Sequence, residues 1–165
     1  MGQRYLTKLI IIVYYNIGMK ISTKGRYGTR ALLDVAMHQG EGPVQLKVIA
    51  ERQQLSISYL EHIVAPLISA GMLRSVRGVN GGVLLGKPAK DIKLNEVIRA
   101  LEGSVALVEC VDDPNVCPRS DHCATRDMWA EIKKAMDGVL ESTTIQELVE
   151  RQMTKQKHEE ITYSI

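Results

Sequence analysis

Residues 56–85 read SISYLEHIVAPLISAGMLRSVRGVNGGVLL, and this stretch decides the fold. Ser58-Tyr59-Leu60-Glu61 fits a capping box, a Ser N-cap with Glu three residues on. Leu60, Ile63, Val64, Leu67 and Ile68 then keep the i, i+3, i+4, i+7, i+8 spacing of one buried helix face. Gly71 stands at the usual C-terminal stop. Pro66 lies inside the helix, where its ring opposes the carbonyl of His62 and predicts a kink. Leu73-Arg74-Ser75-Val76 and Val83-Leu84-Leu85 read as paired strands, with Asn80-Gly81 between them as a strong hairpin signal.

Upstream, Thr29 to Gln39 reads as a helix with Leu32, Val35 and Ala36 on one face, ended by Gly40-Glu41-Gly42-Pro43. Leu46, Ile49 and Ala50 mark a second, short helix ending near Gln53, followed by the connection Gln54-Leu55-Ser56-Ile57. Two short helices joined tightly make a helix-turn-helix, and a hairpin after it makes a winged helix. On the helices alone a small protein-interaction domain fits as well. With the hairpin, the third helix becomes a DNA reader, and Arg74 and Arg77 lie on a wing, where a narrow minor groove attracts Arg.

Charge points the same way. The chain has 165 residues, 45% hydrophobic and 24% charged, with a net charge of +2. That composition excludes a wholly disordered, collagen-like or multi-span membrane chain. Residues 19–93 hold eleven Lys/Arg against five Asp/Glu, and residues 94–165 hold eight against fourteen. A basic half of this kind suits an anionic partner such as nucleic acid, or is uneven surface charge with no partner. Leu9 to Tyr15 is an apolar run too short to span a membrane. Met19 is the expected natural start, with residues 1–18 an extension outside the native fold. A β-strand or a membrane-surface anchor is the competing reading of that run.

The acidic half carries the chain's three cysteines, Cys110, Cys117 and Cys123, in a segment with Pro114 and Pro118. The spacing is a poor match to zinc ligands, which pair at two to four intervening residues. Thiolates in a flexible loop suit an iron–sulfur cluster. A zinc site, a thiol sensor and no role stay open, and no Cys-x-x-Cys redox pair is present. Leu94, Val97, Ile98 and Leu101 mark a helix stopped by Gly103. Trp129, Ile132, Met136 and Val139 form an a/d seam on a helix from about Ala124 to Leu140. The seam is a dimer core or packs within the chain. Thr144-x-x-Glu147 caps a last helix whose Ile145 and Leu148 can pack back. From Thr154 the chain is polar and is expected to fray.

Met19-Lys20-Ile21-Ser22-Thr23-Lys24-Gly25-Arg26-Tyr27-Gly28, Ser58-Tyr59-Leu60-Glu61, Arg77-Gly78 with Gly81-Gly82, and Leu101-Glu102-Gly103 together resemble the signatures of the IscR-type winged-helix transcription regulators. The resemblance runs from Met19 to about Gln152. It implies a mainly α fold with a small β-hairpin: a winged helix-turn-helix over 19–103, a cysteine loop over 104–123, dimerisation helices over 124–152 and a flexible tail over 153–165. It implies a bacterial homodimer on a palindromic operator in double-stranded DNA. A cytoplasmic location, no membrane partner and no enzymatic activity are expected, an iron–sulfur carrier or thiol enzyme being disfavoured because no second catalytic constellation appears. The expected DNA contacts, from the third helix, the wing and the basic start of the first helix, are Lys24, Arg26, Tyr27, Arg30, Ser58, Tyr59, Glu61, His62, Arg77, Gly78 and Asn80. By the resemblance Glu61 would be the specificity residue, with the capping box as its competing role. The resemblance also implies that Cys110, Cys117 and Cys123 hold an iron–sulfur cluster, [2Fe–2S] ahead of [4Fe–4S].

The fourth ligand is where the chain departs from the pattern. IscR has a His three positions after the last Cys, and here that place is Arg126, which cannot ligate. Some relatives use an acidic residue near the start of the partner subunit, and the matching place here is Arg26. His122, Asp121, Asp127, a small thiol or water remain. Pro66 and Val79-Asn80 are more similar to the cysteine-metabolism branch of the family, exemplified by CymR, which lacks the cysteines. The alternative is therefore a cluster-free regulator of sulfur metabolism controlled by a protein partner. A cluster-assembly protein or a sulfur-metabolism protein is the further partner expected in either case.

Overall fold

The computed structural model describes residues 21–162, with side chains through 158. The expected extension over residues 1–18 lies outside the described residues. Helix α1 runs Thr23–Met37, beginning before the predicted Thr29. Ser22 is its N-cap, and Ser22 Oγ accepts from the backbone N–H groups of Lys24 and Gly25 at 3.1 and 3.3 Å. Helix α2 runs Leu46–Gln53 and ends on Gln54, the only described non-glycine residue with positive φ, at 56°. That left-handed residue leaves little chain before the next helix. Helix α3 consequently starts at Ile57, with Ser56 as N-cap and Ser56 Oγ accepting from Tyr59 N at 3.3 Å. The predicted cap at Ser58 is therefore corrected: Ser58 lies inside the first turn, and Glu61 sits too far along the helix to close a capping box. Helix α3 continues through Pro66 to Ser69, and Gly71 follows at φ 71°.

Strands β1 (Leu73–Val76) and β2 (Gly82–Leu85) pair antiparallel, with Leu73 opposite Leu85 and Val76 opposite Gly82. The turn differs from a two-residue Asn-Gly hairpin. Gly81 N donates to Gly78 O at 3.0 Å, so Val79 and Asn80 are the central residues, and Gly78 supplies the positive φ of 113°. Val44 exchanges two backbone hydrogen bonds of 2.9 Å with Val83. The segment between α1 and α2 thus lies beside β2. A Cβ on Gly82 would strike the Val44 carbonyl, so this approach requires glycine.

Leu32, Ile49, Leu60, Ile63, Leu67 and Leu73 are fully buried where the three helices meet the hairpin. Each such side chain contributes about 1.5–3 kcal/mol relative to exposure. Helix α4 (Leu94–Glu102) adds Val97, Ile98 and Leu101 to the buried set and stops at Gly103 with φ 85°. A one-turn helix α5 (Glu109–Asp112) and two 3-10 turns, Pro114–Val116 and Ser120–His122, occupy the expected flexible loop. Helix α6 then runs Ala124–Ser142 and helix α7 Ile145–Thr162. Helix α7 is capped by Thr144, whose Oγ1 accepts from Glu147 N at 3.2 Å. It returns to the first domain: Ile145 is fully buried, and Ile145 N donates to Ile92 O at 2.9 Å. The polar stretch from Thr154, expected to fray, remains helical to Thr162.

Candidate nucleic-acid interface and cysteine segment

Helix α3 divides into two faces. Leu60, Ile63, Val64 and Leu67 are buried, whereas Ser58, Glu61 and His62 are exposed and their side chains have no partner among the described residues. Tyr59 is half-buried, and its ring meets Tyr27 of α1 edge-on at 6.4 Å. Glu61 is thereby left with an exposed, acceptor-only carboxylate and no capping duty. On α1 the guanidinium groups of Arg26 and Arg30 lie 5.7 and 5.4 Å from the Tyr27 ring centre. A ring flanked by two cations attracts each of them, while the cations repel one another and favour an anion between them. Neither Arg makes an ion pair among the described residues. Lys24, beside them, is half-exposed. Arg77, Gly78 and Asn80 are exposed on the wing, with Val79 97% exposed at its tip.

Three residues of this surface carry no motif and were missed in the sequence: Asp34, Arg52 and Gln53. Asp34 is 6% exposed on α1, and Arg52 and Gln53 reach it from the end of α2. A charged residue in the middle of an apolar-periodic helix was the available signal, but its partners lie one helix away.

The cysteine segment presents a different chemistry. Cys110 lies in α5, Cys117 follows the first 3-10 turn, and Cys123 is the N-cap residue of α6. All three are free and half-buried. The Cys123 thiol is held below the usual thiol range, first by the Thr125 hydroxyl 3.1 Å from its sulfur and then by the backbone N–H of Arg126. Donation from a helix N-terminus is a standard way of favouring thiolate. Ser120 is buried, and its hydroxyl donates to Cys117 O and Pro114 O, which ties the two 3-10 turns together. His122 is exposed beside Cys123. Arg126 acts as a brace: its Nε donates to Cys110 O at 2.8 Å.

Three thiols with one favoured as thiolate suit an iron–sulfur cluster in kind. Among the described residues, however, no three His, Cys, Asp or Glu side chains are gathered closely enough to hold a metal ion. Cluster binding therefore requires residues 110–123 to close around it.

Helix α6 has no fully buried residue along its 19 positions. Trp129, Ile132 and Met136 are half-buried, and Val139 is 66% exposed, so the seam is incompletely covered by its own chain. Among the described residues no helix is long and apolar enough to cross a membrane.

Comparison with known proteins follows the same lines. Residues 21–151 match the family model Rrf2, described as an iron-dependent transcriptional regulator. The chain is 45% identical over 131 residues to the protein rrf2 of Nitratidesulfovibrio vulgaris, covering 79% of this chain and 87% of that one. It is 43% identical over 130 residues to the HTH-type transcriptional regulator CymR of Bacillus subtilis, covering 79% and 89%. It is 42% identical over 134 residues to the HTH-type transcriptional regulator IscR of Serratia proteamaculans, covering 81% of each. The solved structure of CymR, the global cysteine regulator of B. subtilis, superposes with a TM-score of 0.68 at 42% identity, over 80% of this chain and 97% of that one. T. potens IscR superposes with a TM-score of 0.68 at 42% identity, over 82% and 89%. The chain belongs to the Rrf2 family of transcriptional regulators, as a DNA-binding regulator of the IscR and CymR type and not an enzyme.

Proposed function

We propose that this chain is a cytoplasmic, homodimeric regulator that binds a palindromic operator and whose DNA binding is tuned by an iron–sulfur cluster on Cys110, Cys117 and Cys123. The observation that carries the DNA-binding part is the bare outer face of α3: Ser58, Glu61 and His62 project from a helix whose other face is buried. Laid in the major groove, those side chains reach base edges, and the Glu61 carboxylate accepts from a cytosine amino group. The wing, with Arg77, Gly78 and Asn80, follows the minor groove. Lys24, Arg26, Tyr27 and Arg30 hold phosphates. The incompletely covered seam of Trp129, Ile132, Met136 and Val139 supports dimerisation through α6, which sets two α3 helices against two half-sites.

The three thiols and the low-lying Cys123 thiol support the cluster. A bound cluster would supply a redox- and ligand-sensitive centre, [2Fe–2S] in the first instance. His122, Asp121 and Asp127 are the protein residues offered for the fourth position, with a small thiol or water as the other choices. The second reading, a cluster-free regulator answering to a protein partner, is favoured by the ungathered donors and by the likeness to CymR.

A visible spectrum with iron and sulfide analysis of anaerobically purified protein separates the two. Brown protein, with colour abolished in each of Cys110→Ala, Cys117→Ala and Cys123→Ala, is expected. Colourless protein that binds DNA tightly would contradict the cluster and support the second reading.

A further inference from the structure

We propose that Gln53, oriented by the buried Asp34, is a positioning residue that presents Arg30 to the DNA backbone. The inference rests on the DNA-binding reading above and adds two residues that no motif marks.

Asp34 lies on the inner side of α1. Arg52 Nη2 approaches its Oδ1 at 2.7 Å, so the buried carboxylate is neutralised by α2. The Arg52 guanidinium is itself fixed, since Nη1 donates to His38 Nε2 at 2.8 Å while His38 Nδ1 donates to Asp34 O at 2.7 Å. Asp34 Oδ2 accepts from Gln53 Nε2 at 2.8 Å.

An ionised carboxylate only accepts. The amide of Gln53 must therefore turn its NH2 toward Asp34 and its carbonyl oxygen away. That oxygen accepts from Arg30 Nε at 2.9 Å. The chain Asp34–Gln53–Arg30 thus has one direction, set by donor and acceptor chemistry.

What matters for DNA is what this leaves on Arg30. It is anchored by a neutral group, so its charge is not cancelled, in contrast to Arg52. Only Nε is used, and the two terminal nitrogens carry no hydrogen bond among the described residues. The guanidinium lies 5.4 Å from the Tyr27 ring, and Tyr27 touches Tyr59 of the reader helix. Arg30 is therefore a pre-ordered two-pronged donor at the junction of α1, α2 and α3. Such a fork suits a phosphate, and fixing it beforehand lowers the ordering cost of binding. If the network merely stapled α1 to α2, its loss would act on stability and not through Arg30.

The test uses the full chain, a mixed-sequence DNA duplex at low salt, and Gln53→Ala, Arg30→Ala and the double variant, each checked by thermal melting. Phosphate contacts act on any duplex, so no operator is needed. Gln53→Ala should weaken binding about threefold to tenfold, the worth of one hydrogen bond, with an unchanged salt slope because the charge remains. In the Arg30→Ala background the same substitution should cost nothing, and Arg30→Ala itself should flatten the log–log salt slope by about 0.9 per contact. Gln53→Glu keeps the side-chain length but sets a carboxylate against Arg30, and it should flatten the slope as Arg30→Ala does. Equal losses from Gln53→Ala in both backgrounds, or wild-type affinity in Gln53→Ala, would overturn the inference while leaving DNA binding intact. A wild-type protein that fails to bind the duplex would overturn the DNA-binding reading itself.

Discussion

Glu61 is the side chain on which sequence discrimination turns. It stands on the outer face of α3 with no partner among the described residues, so its carboxylate is available to a base edge. Glu61→Gln keeps the size and the acceptor oxygen but adds a donor and removes the charge. We expect this variant to fold normally and to shift base preference at one position of each half-site, by about 1–3 kcal/mol of discrimination. Unchanged preference in a competition assay would remove Glu61 from the reading set. Ser56 and Ser58 show what the sequence leaves open at this scale. Both precede the apolar stripe, and the Ser-x-x-Glu template selects Ser58. The backbone selects Ser56, because Gln54 turns left-handed and leaves no room for a longer connection. A left-handed non-glycine residue has no signature in composition, so the competing cap role for Glu61 could only be removed by the structure.

At the scale of the elements, the entry to α1 is held by a residue from the far end of α4. Glu102 Oε1 accepts from Ser22 N at 2.8 Å, placing a carboxylate at the N-terminus of the helix that carries Arg26 and Arg30. Gly25 makes this possible, since a Cβ there would strike Glu102 Oε1. Gly28 likewise admits the side chain of Leu101. These two glycines are poor helix formers, and they hid the first turns of α1 from its periodicity. Their reason is a contact with residues far away in sequence, which no local pattern records. Gly25→Ala should displace Glu102 and cost about 1–2 kcal/mol, seen as a lower melting temperature, although alanine is intrinsically the better helix former. A variant more stable than wild type would refute the Glu102 clasp. Helix α6 raises the opposite issue: its seam was legible from spacing, and the structure leaves it only partly covered. Ile132→Glu would place an unpaired charge in the proposed dimer contact, at a cost of several kcal/mol. We expect sedimentation as a monomer with weakened DNA binding. A tight Ile132→Glu dimer would put the interface elsewhere.

Over the whole molecule, the basic half folds into the winged helix and the acidic half supplies the cysteine segment and α6, with α7 returning to seal the first core through Ile145. The winged helix was legible because apolar period, glycine stops and a hairpin signal agree with one another. The cysteine segment was legible in kind only: spacing identified three thiols, but where they lie depends on the short helix and two 3-10 turns between them, which spacing does not encode. The role of Arg126 as a brace on Cys110 O belongs to the same class of tertiary contact. Glu102, which immediately precedes the cysteine-bearing segment, is tied to the start of α1 by its hydrogen bond from Ser22 N, so the proposed regulation has a non-covalent contact between that segment and the DNA-binding surface to act through. The account as a whole is tested most directly by selecting binding sites from a random-sequence DNA pool with the full chain, once as isolated anaerobically and once after its iron is removed. It predicts a palindrome with half-sites one helical turn or a multiple apart, recovered with an affinity that changes between the two states. Failure to enrich any common sequence in either state would contradict it.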